Sequence, residues 1–276
     1  MSPSSSEHQY RAFEHAAWER AAPHYAEDFG VVTQPLPRLF STPSTSLCCR
    51  CPTARGRLRH GAHRGHGRGR GADTVGVDFS QAMLRGRWPL PGLNLVRADA
   101  GRLPIRNGAC DTVVIGFGVQ HFPAPEPAIA EEGRVLRPGG RLAFTSWSGE
   151  DNEFQQVLLD AMADGGVATA SLPSAPHGEL NRPERCLALL RSGDYVPASA
   201  RVSRLKASIR VASAERLFEI TARSTARGAA AIRAAGAGTR PAVLEALRVA
   251  LVPYRVEDGT GYDVPAVALL TVATRR

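Results

Sequence analysis

Residues 74–84 read TVGVDFSQAML, and the first half of that stretch decides the fold. Thr74, Val75 and Val77 are β-branched, and the run closes on a carboxylate, Asp78, with Ser80 just beyond it. A short apolar run bounded by polar residues reads as a buried strand. Ser80 carries the side-chain oxygen suited to capping a helix over SQAMLRGRW (80–88). Strand, acid and helix in this order set Asp78 at the carboxyl end of a strand, where ligands of open α/β sheets bind.

Working outward, the pattern repeats. LNLVRADA (93–100) reads as a second strand, and CDTVVIGFGV (110–119) as a third, apolar enough to be buried on both faces. EPAIAEEGRVL (126–136) has Ile129, Gly133 and Leu136 on one helical face and is stopped by Pro138-Gly139-Gly140, after which RLAFTSW (141–147) is a fourth strand. These spacings imply βαβ units and a mostly parallel sheet. Beyond Ser148, EFQQVLLDAMA (153–163), RPERCLALLRSG (182–193) and much of 213–251 are helical in pattern. SRLKASIRV (203–211) alternates as a strand, and VPAVALLTVATR (264–275) closes the chain as another. Upstream, residues 9–29 place Phe13, Ala16, Ala17 and Ala21 at helical spacing, and Pro23 predicts either two short helices or one kinked helix. From Ser46 to Gly71 there is no hydrophobic period.

That irregular stretch also explains the charge. The chain has a formal net charge of +8, yet no acid occurs between Phe29 and Ala72, where eight arginines lie. The rest of the chain is electrically balanced, so the excess belongs to one segment and not to a folded basic face. No Phe, Trp or Tyr lies between Phe40 and Phe79 to interleave with those arginines, which argues against nucleic acid as a partner. Five cysteines, three of them within 48–51, form no disulfide framework. The N-terminus lacks a secretory apolar region, and the longest apolar runs are too short to span a bilayer, so the expectation is a soluble, cytoplasmic protein.

GVDFSQAML (76–84), RADAGRLPIRNGACDTVVIGFGVQHF (97–122) and EEGRVLRPGGRLAFTSW (131–147), in that order, resemble the class I S-adenosylmethionine-dependent methyltransferases. The branch most similar includes the ubiquinone/menaquinone-biosynthesis enzymes. The resemblance implies an α/β, Rossmann-like class I methyltransferase sheet with a helical lid. It also implies methyl transfer from S-adenosyl-L-methionine to a small-molecule acceptor. The chain then divides into N-terminal helices (1–45), an Arg/Gly/His/Cys-rich segment (46–71), a cofactor-binding α/β core (72–148), a helical lid (149–200) and C-terminal strands with inserted helices (201–276).

By that resemblance Asp78 accepts hydrogen bonds from the ribose hydroxyls; a plain helix cap is the other reading of the same carboxylate. Phe79 and Met83 offer apolar surface to the adenine ring. Asp99 accepts from the adenine amino group and Ala100 lines the ring, the alternative being a solvated turn aspartate. Gly116 and Phe117 end the third strand, where glycine admits a ligand close to the backbone. His121 is the candidate catalytic residue, being the one group in its stretch that can accept a proton near neutral pH. Because alignment alone can suffice for methyl transfer from a sulfonium, a loop histidine without that role is the alternative.

The family's acidic glycine-rich loop should begin near Arg57–Gly61, but RLRHG stands there, with no strand before it. Gly65-x-Gly67-x-Gly69 lies too close to Asp78, because a crossover needs at least about 10–12 residues. Cys48, Cys51, His60 and His63 are zinc-type ligands at spacings that depart from those of zinc fingers. The composition of 38–71 is what GC-rich codons give out of frame, so a translated frameshift is expected there. The rival class is a non-catalytic methyltransferase-like remnant whose basic Cys/His segment binds nucleic acid or metal.

Overall fold

The apolar runs pair into one sheet. The computed structural model describes residues 4–25, 27–28, 47–51, 73–86 and 94–276, with only the backbone described at 47–51 and at Asp73. The strands are β1 (Leu47–Cys51), β2 (Asp73–Asp78), β3 (Asn94–Arg97), β4 (Cys110–Ile115), β5 (Leu136–Trp147), β6 (Arg201–Val211) and β7 (Tyr262–Thr274). They lie in the order β3-β2-β1-β4-β5-β7-β6. β2 and β3 run parallel, as do β4 and β5, while β7 is antiparallel to both β5 and β6. Sequence order reverses across the β1–β4 boundary, as in doubly wound sheets, which opens a crevice at the carboxyl ends of the central strands.

β1 departs from the expectation that 46–71 is irregular throughout. Its backbone pairs antiparallel with both β2 and β4. The pairing uses peptide groups alone, so it needs no hydrophobic period, and it supplies partners to two strand edges that would otherwise be buried without them. The direction matters for the site. Leu47 pairs with Val77, beside Asp78, whereas Cys51 pairs with Asp73 at the far end of β2. The chain therefore leaves β1 at the sheet edge away from Asp78, and β1 cannot hand a glycine-rich loop to the crevice as a parallel first strand would. The rest of 38–71 lies outside the described residues, and so do the side chains of Cys48 and Cys51 with His60 and His63.

The helices are α1 (Ser5–Tyr25), α2 (Gln81–Arg85), α3 (Pro125–Val135), α4 (Glu153–Asp164), α5 (Pro183–Leu189), α6 (Ala214–Ser224), α7 (Ala226–Ala235) and α8 (Arg240–Ala250). Side chains alternate across β7 and sort these helices into layers. Leu269 and Ala273 join the core under α3 and α5, while Val264 and Ala266 join the core under α4, α6 and α8. Cys186 and Leu189 of α5 belong to the first core, so within 149–200 only α4 reaches the crevice as a lid element.

Two boundaries differ from the sequence reading. α1 is one helix, because Pro23 sits in its last turn and costs only one intrahelical hydrogen bond there. Its buried face is Tyr10, Glu14, Ala17, Trp18, Ala21, Ala22 and Tyr25, rotated from the stripe that starts at Phe13. α3 ends one residue early: Leu136 is already extended (ψ 142°) and opens β5, with the Pro-Gly-Gly turn inside the bulged start of that strand.

Candidate functional site

Three strand ends build the crevice. β2 delivers Asp78, which is buried (2% exposed) and accepts a hydrogen bond from the Ser80 amide on Oδ1 at 2.8 Å. Ser80 itself caps α2, its hydroxyl oxygen accepting from the Met83 amide at 3.1 Å. Asp78 thus organises the strand-to-helix turn and also lines a cavity with Phe79, Ala98, Asp99 and Ala100. The ladder runs one step past β3, with the Ala98 amide donating to Asp78 O, and Arg97 Nε donates to Phe79 O at 3.1 Å. Asp99 makes a tight turn, Oδ1 accepting from the Gly101 amide at 2.8 Å, and its Oδ2 is ion-paired with Arg11.

Arg11 belongs to α1, which closes the same cavity. Sequence reasoning missed this wall. Glu14 is 1% exposed and sits in the buried stripe of α1, where a carboxylate is costly unless it has partners. Its Oε2 accepts from Trp18 Nε1 at 3.0 Å and lies 3.0 Å from His121 Nδ1. An acid within an otherwise apolar helical stripe was the available signal. Tyr10, one turn earlier, donates its hydroxyl to Gln120 O at 3.2 Å; burial first, then the Glu14 charge, push its phenol far above the usual range.

β4 leads into Gly116-Phe117-Gly118 and a single turn, Val119–His121. Phe117 has φ +53°, a left-handed backbone rarely adopted by aromatic residues. It is held by Thr145 Oγ1, which accepts its amide at 2.9 Å, and by its ring packing on Trp147 with centroids 4.6 Å apart. Phe117, Trp147, Phe154 and Leu158 line a second, larger and mostly apolar cavity, partly open to solvent, which the start of α7 (Thr225 to Gly228) borders as well. His121 lines both cavities.

Of the residues singled out in the sequence, Asp78, Phe79, Asp99, Ala100 and His121 meet at the first cavity, while Phe117 turns to the second. Gly116 is buried at the end of β4 and lines neither. Met83 does not reach either cavity: it is 4% exposed and packs in a cluster with Ala17, Trp18 and Tyr25 of α1. The short α2 points it toward α1, away from the crevice. The first cavity sets a buried strand-end carboxylate beside an apolar slot. Among the described residues there is no cluster of three or more metal-ligating side chains and no helix long and apolar enough to cross a membrane.

Comparison with known proteins agrees with this geometry. Residues 60–144 match the model of a methyltransferase domain. The demethylmenaquinone methyltransferase of Renibacterium salmoninarum is 38% identical over 111 residues, covering 38% of this chain and 47% of that protein. The Thermus thermophilus protein of the same name is 46% identical over 77 residues, 26% of this chain and 35% of its own. The YcgJ protein of Bacillus subtilis, a solved structure, superposes with a TM-score of 0.44 at 12% identity, covering 73% of this chain and 82% of its own. The chain spans less than half the length of the curated relatives it matches. Within residues 60–144 the chain is similar to a methyltransferase domain, and that stretch holds β2, β3 and β4. Its matched relatives are of the ubiquinone and menaquinone type.

Proposed function

We propose that the chain binds S-adenosylmethionine in the first cavity and transfers its methyl group to a small aromatic acceptor of the quinol type in the second. The observation that carries this reading is that the two cavities share one wall, His121, at the carboxyl ends of β2, β3 and β4. Bound there, the cofactor supplies an electrophilic methyl group on a sulfonium. Asp78, which already holds the Ser80 amide, accepts from the ribose hydroxyls. Phe79 and Ala100 flank the adenine, and Asp99 accepts from its amino group in competition with Arg11. Phe117 and Trp147 offer a pair of aromatic faces to a flat acceptor. The acceptor class comes from the names of the relatives and from the aromatic, mostly apolar lining of the second cavity.

The test is methyl transfer from radiolabelled S-adenosylmethionine to demethylmenaquinol, followed by extraction into organic solvent. Label in the extracted quinone is the expected result. Label that stays in the aqueous phase over many enzyme equivalents would sink the acceptor assignment.

A further inference from the structure

Transfer of a methyl group to a carbon or hydroxyl that carries hydrogen leaves a proton to be placed. We propose that His121 Nε2 takes that proton and that Glu14 is the positioning residue that prepares it. This rests on the methyl-transfer reading above.

The geometry fixes the tautomer. An ionised carboxylate only accepts hydrogen bonds, so the 3.0 Å contact between Glu14 Oε2 and His121 Nδ1 places the hydrogen on Nδ1 and leaves the lone pair on Nε2. Trp18 holds both partners, donating Nε1 to the same oxygen and setting its ring edge-on to the imidazole at 5.1 Å. The histidine side chain is 14% exposed and the glutamate side chain 1%, so water competes little for either.

The direction of Nε2 then matters. It lies 3.4 Å from the side-chain nitrogen of Gln120, which borders the second cavity. Gln120 turns its Oε1 toward the Trp147 amide, so its NH2 group faces the imidazole at a length typical of a weak contact. An acceptor X–H group can replace that contact. Nδ1 thus faces the carboxylate on the cofactor side, and Nε2 faces the acceptor side.

Glu14 Oε1 is buried and makes no hydrogen bond among the described residues, so the pairing with His121 runs through Oε2 alone. The other ionisable groups around the pair are Tyr10 and Arg11 on α1, Asp78 and Asp99 at the strand ends, and Arg227 on α7. Tyr10 among them stays a neutral phenol, because burial pushes its titration far up. In the step itself, a lone pair of the acceptor oxygen, or a π pair of its ring carbon, forms the new bond to the methyl carbon, and the electrons of the X–H bond stay on the acceptor. The proton passes to Nε2, and the pair of the broken C–S bond stays on sulfur as a neutral thioether. A charge-neutral wall would do the same by alignment alone, which is what the test separates.

In protein labelled with 15N-histidine, the wild-type His121 ring is expected to show a protonated Nδ1 and an unprotonated Nε2. Glu14→Gln, which keeps the shape, is expected to mix the tautomers. The same variant should lose about 100-fold in kcat with demethylmenaquinol, within the range of general base catalysis. A wild-type ring protonated on Nε2, or a Glu14→Gln kcat within threefold of wild type, overturns the proposal. Failure of the wild type to bind S-adenosylhomocysteine would instead overturn the methyl-transfer reading, with the ring tautomer still deciding the pairing itself.

Discussion

Asp99 shows how one contact can set an affinity. Its Oδ2 is ion-paired with Arg11, and the side chains are 40% and 46% exposed, so the pair is worth about 0.2–1 kcal/mol. If Asp99 is to accept from an adenine amino group, it must give up that pairing. Arg11→Ala is therefore expected to tighten S-adenosylhomocysteine binding by up to about fivefold, as read by calorimetry. Weaker binding would mean that Arg11 itself holds the ligand. Residues of this kind differ in how well a sequence reveals them. Asp78 and Asp99 are legible because a carboxylate after an apolar strand has few other places to be. Met83 is not, since an apolar residue on a short helix can turn to a ligand or to a neighbouring helix, and here it turns to α1. Glu14 sits 107 residues from its partner His121, and only the packing of α1 across the strand ends joins them.

At the scale of elements, α1 is the part that the sequence describes least well. Its helical period is plain, but its docking depends on polar contacts with distant segments. Glu19 Oε1 accepts from the Ser80 hydroxyl at 2.8 Å and ties α1 to the start of α2. Just beyond α1, the buried Asp28 accepts from Arg216 at 2.7 Å, Arg223 at 3.2 Å and Ser224 at 2.7 Å, all on α6. Burial alone would push the Asp28 carboxyl up, but the hydrogen bonds from Ser224, Arg216 and Arg223 together outweigh it and hold it below the usual range. Asp28→Asn is expected to cost about 1.5–3 kcal/mol in urea unfolding, the range for hydrogen bonds to a charged group. The sign with pH follows from the lowered folded value. The stabilisation is complete above the unfolded value of about 3.9, and it is lost as pH falls through the lower folded one. The difference between wild type and variant should therefore be flat near neutrality and shrink only in acid. A difference that shrinks on raising the pH from 5 to 8 would contradict this account of the clamp.

For the whole molecule, the strands on either side of β1 are legible because each carries its own apolar run. β1 is the exception, a strand built from backbone pairing in a stretch with no pattern, running opposite to its neighbours. Residues 38–71 have the composition of an out-of-frame translation, and β1 leaves the sheet at the edge away from Asp78. Replacing 38–71 with a parallel strand and an acidic glycine-rich loop is accordingly expected to raise cofactor affinity about 100-fold, the equivalent of one strong charge-assisted hydrogen bond. An unchanged affinity would mean that the natural segment already holds the methionine end. The proposed function rests on the two cavities meeting at His121, and it requires the first to take adenosine. The most direct test is calorimetric titration of S-adenosylhomocysteine into the wild-type chain and into Asp78→Ala. The expected result is saturable single-site binding that weakens about 10- to 100-fold in the variant, since a charged acceptor is worth about 1.5–3 kcal/mol. No binding by the wild type, or undiminished affinity in a folded Asp78→Ala, would contradict it.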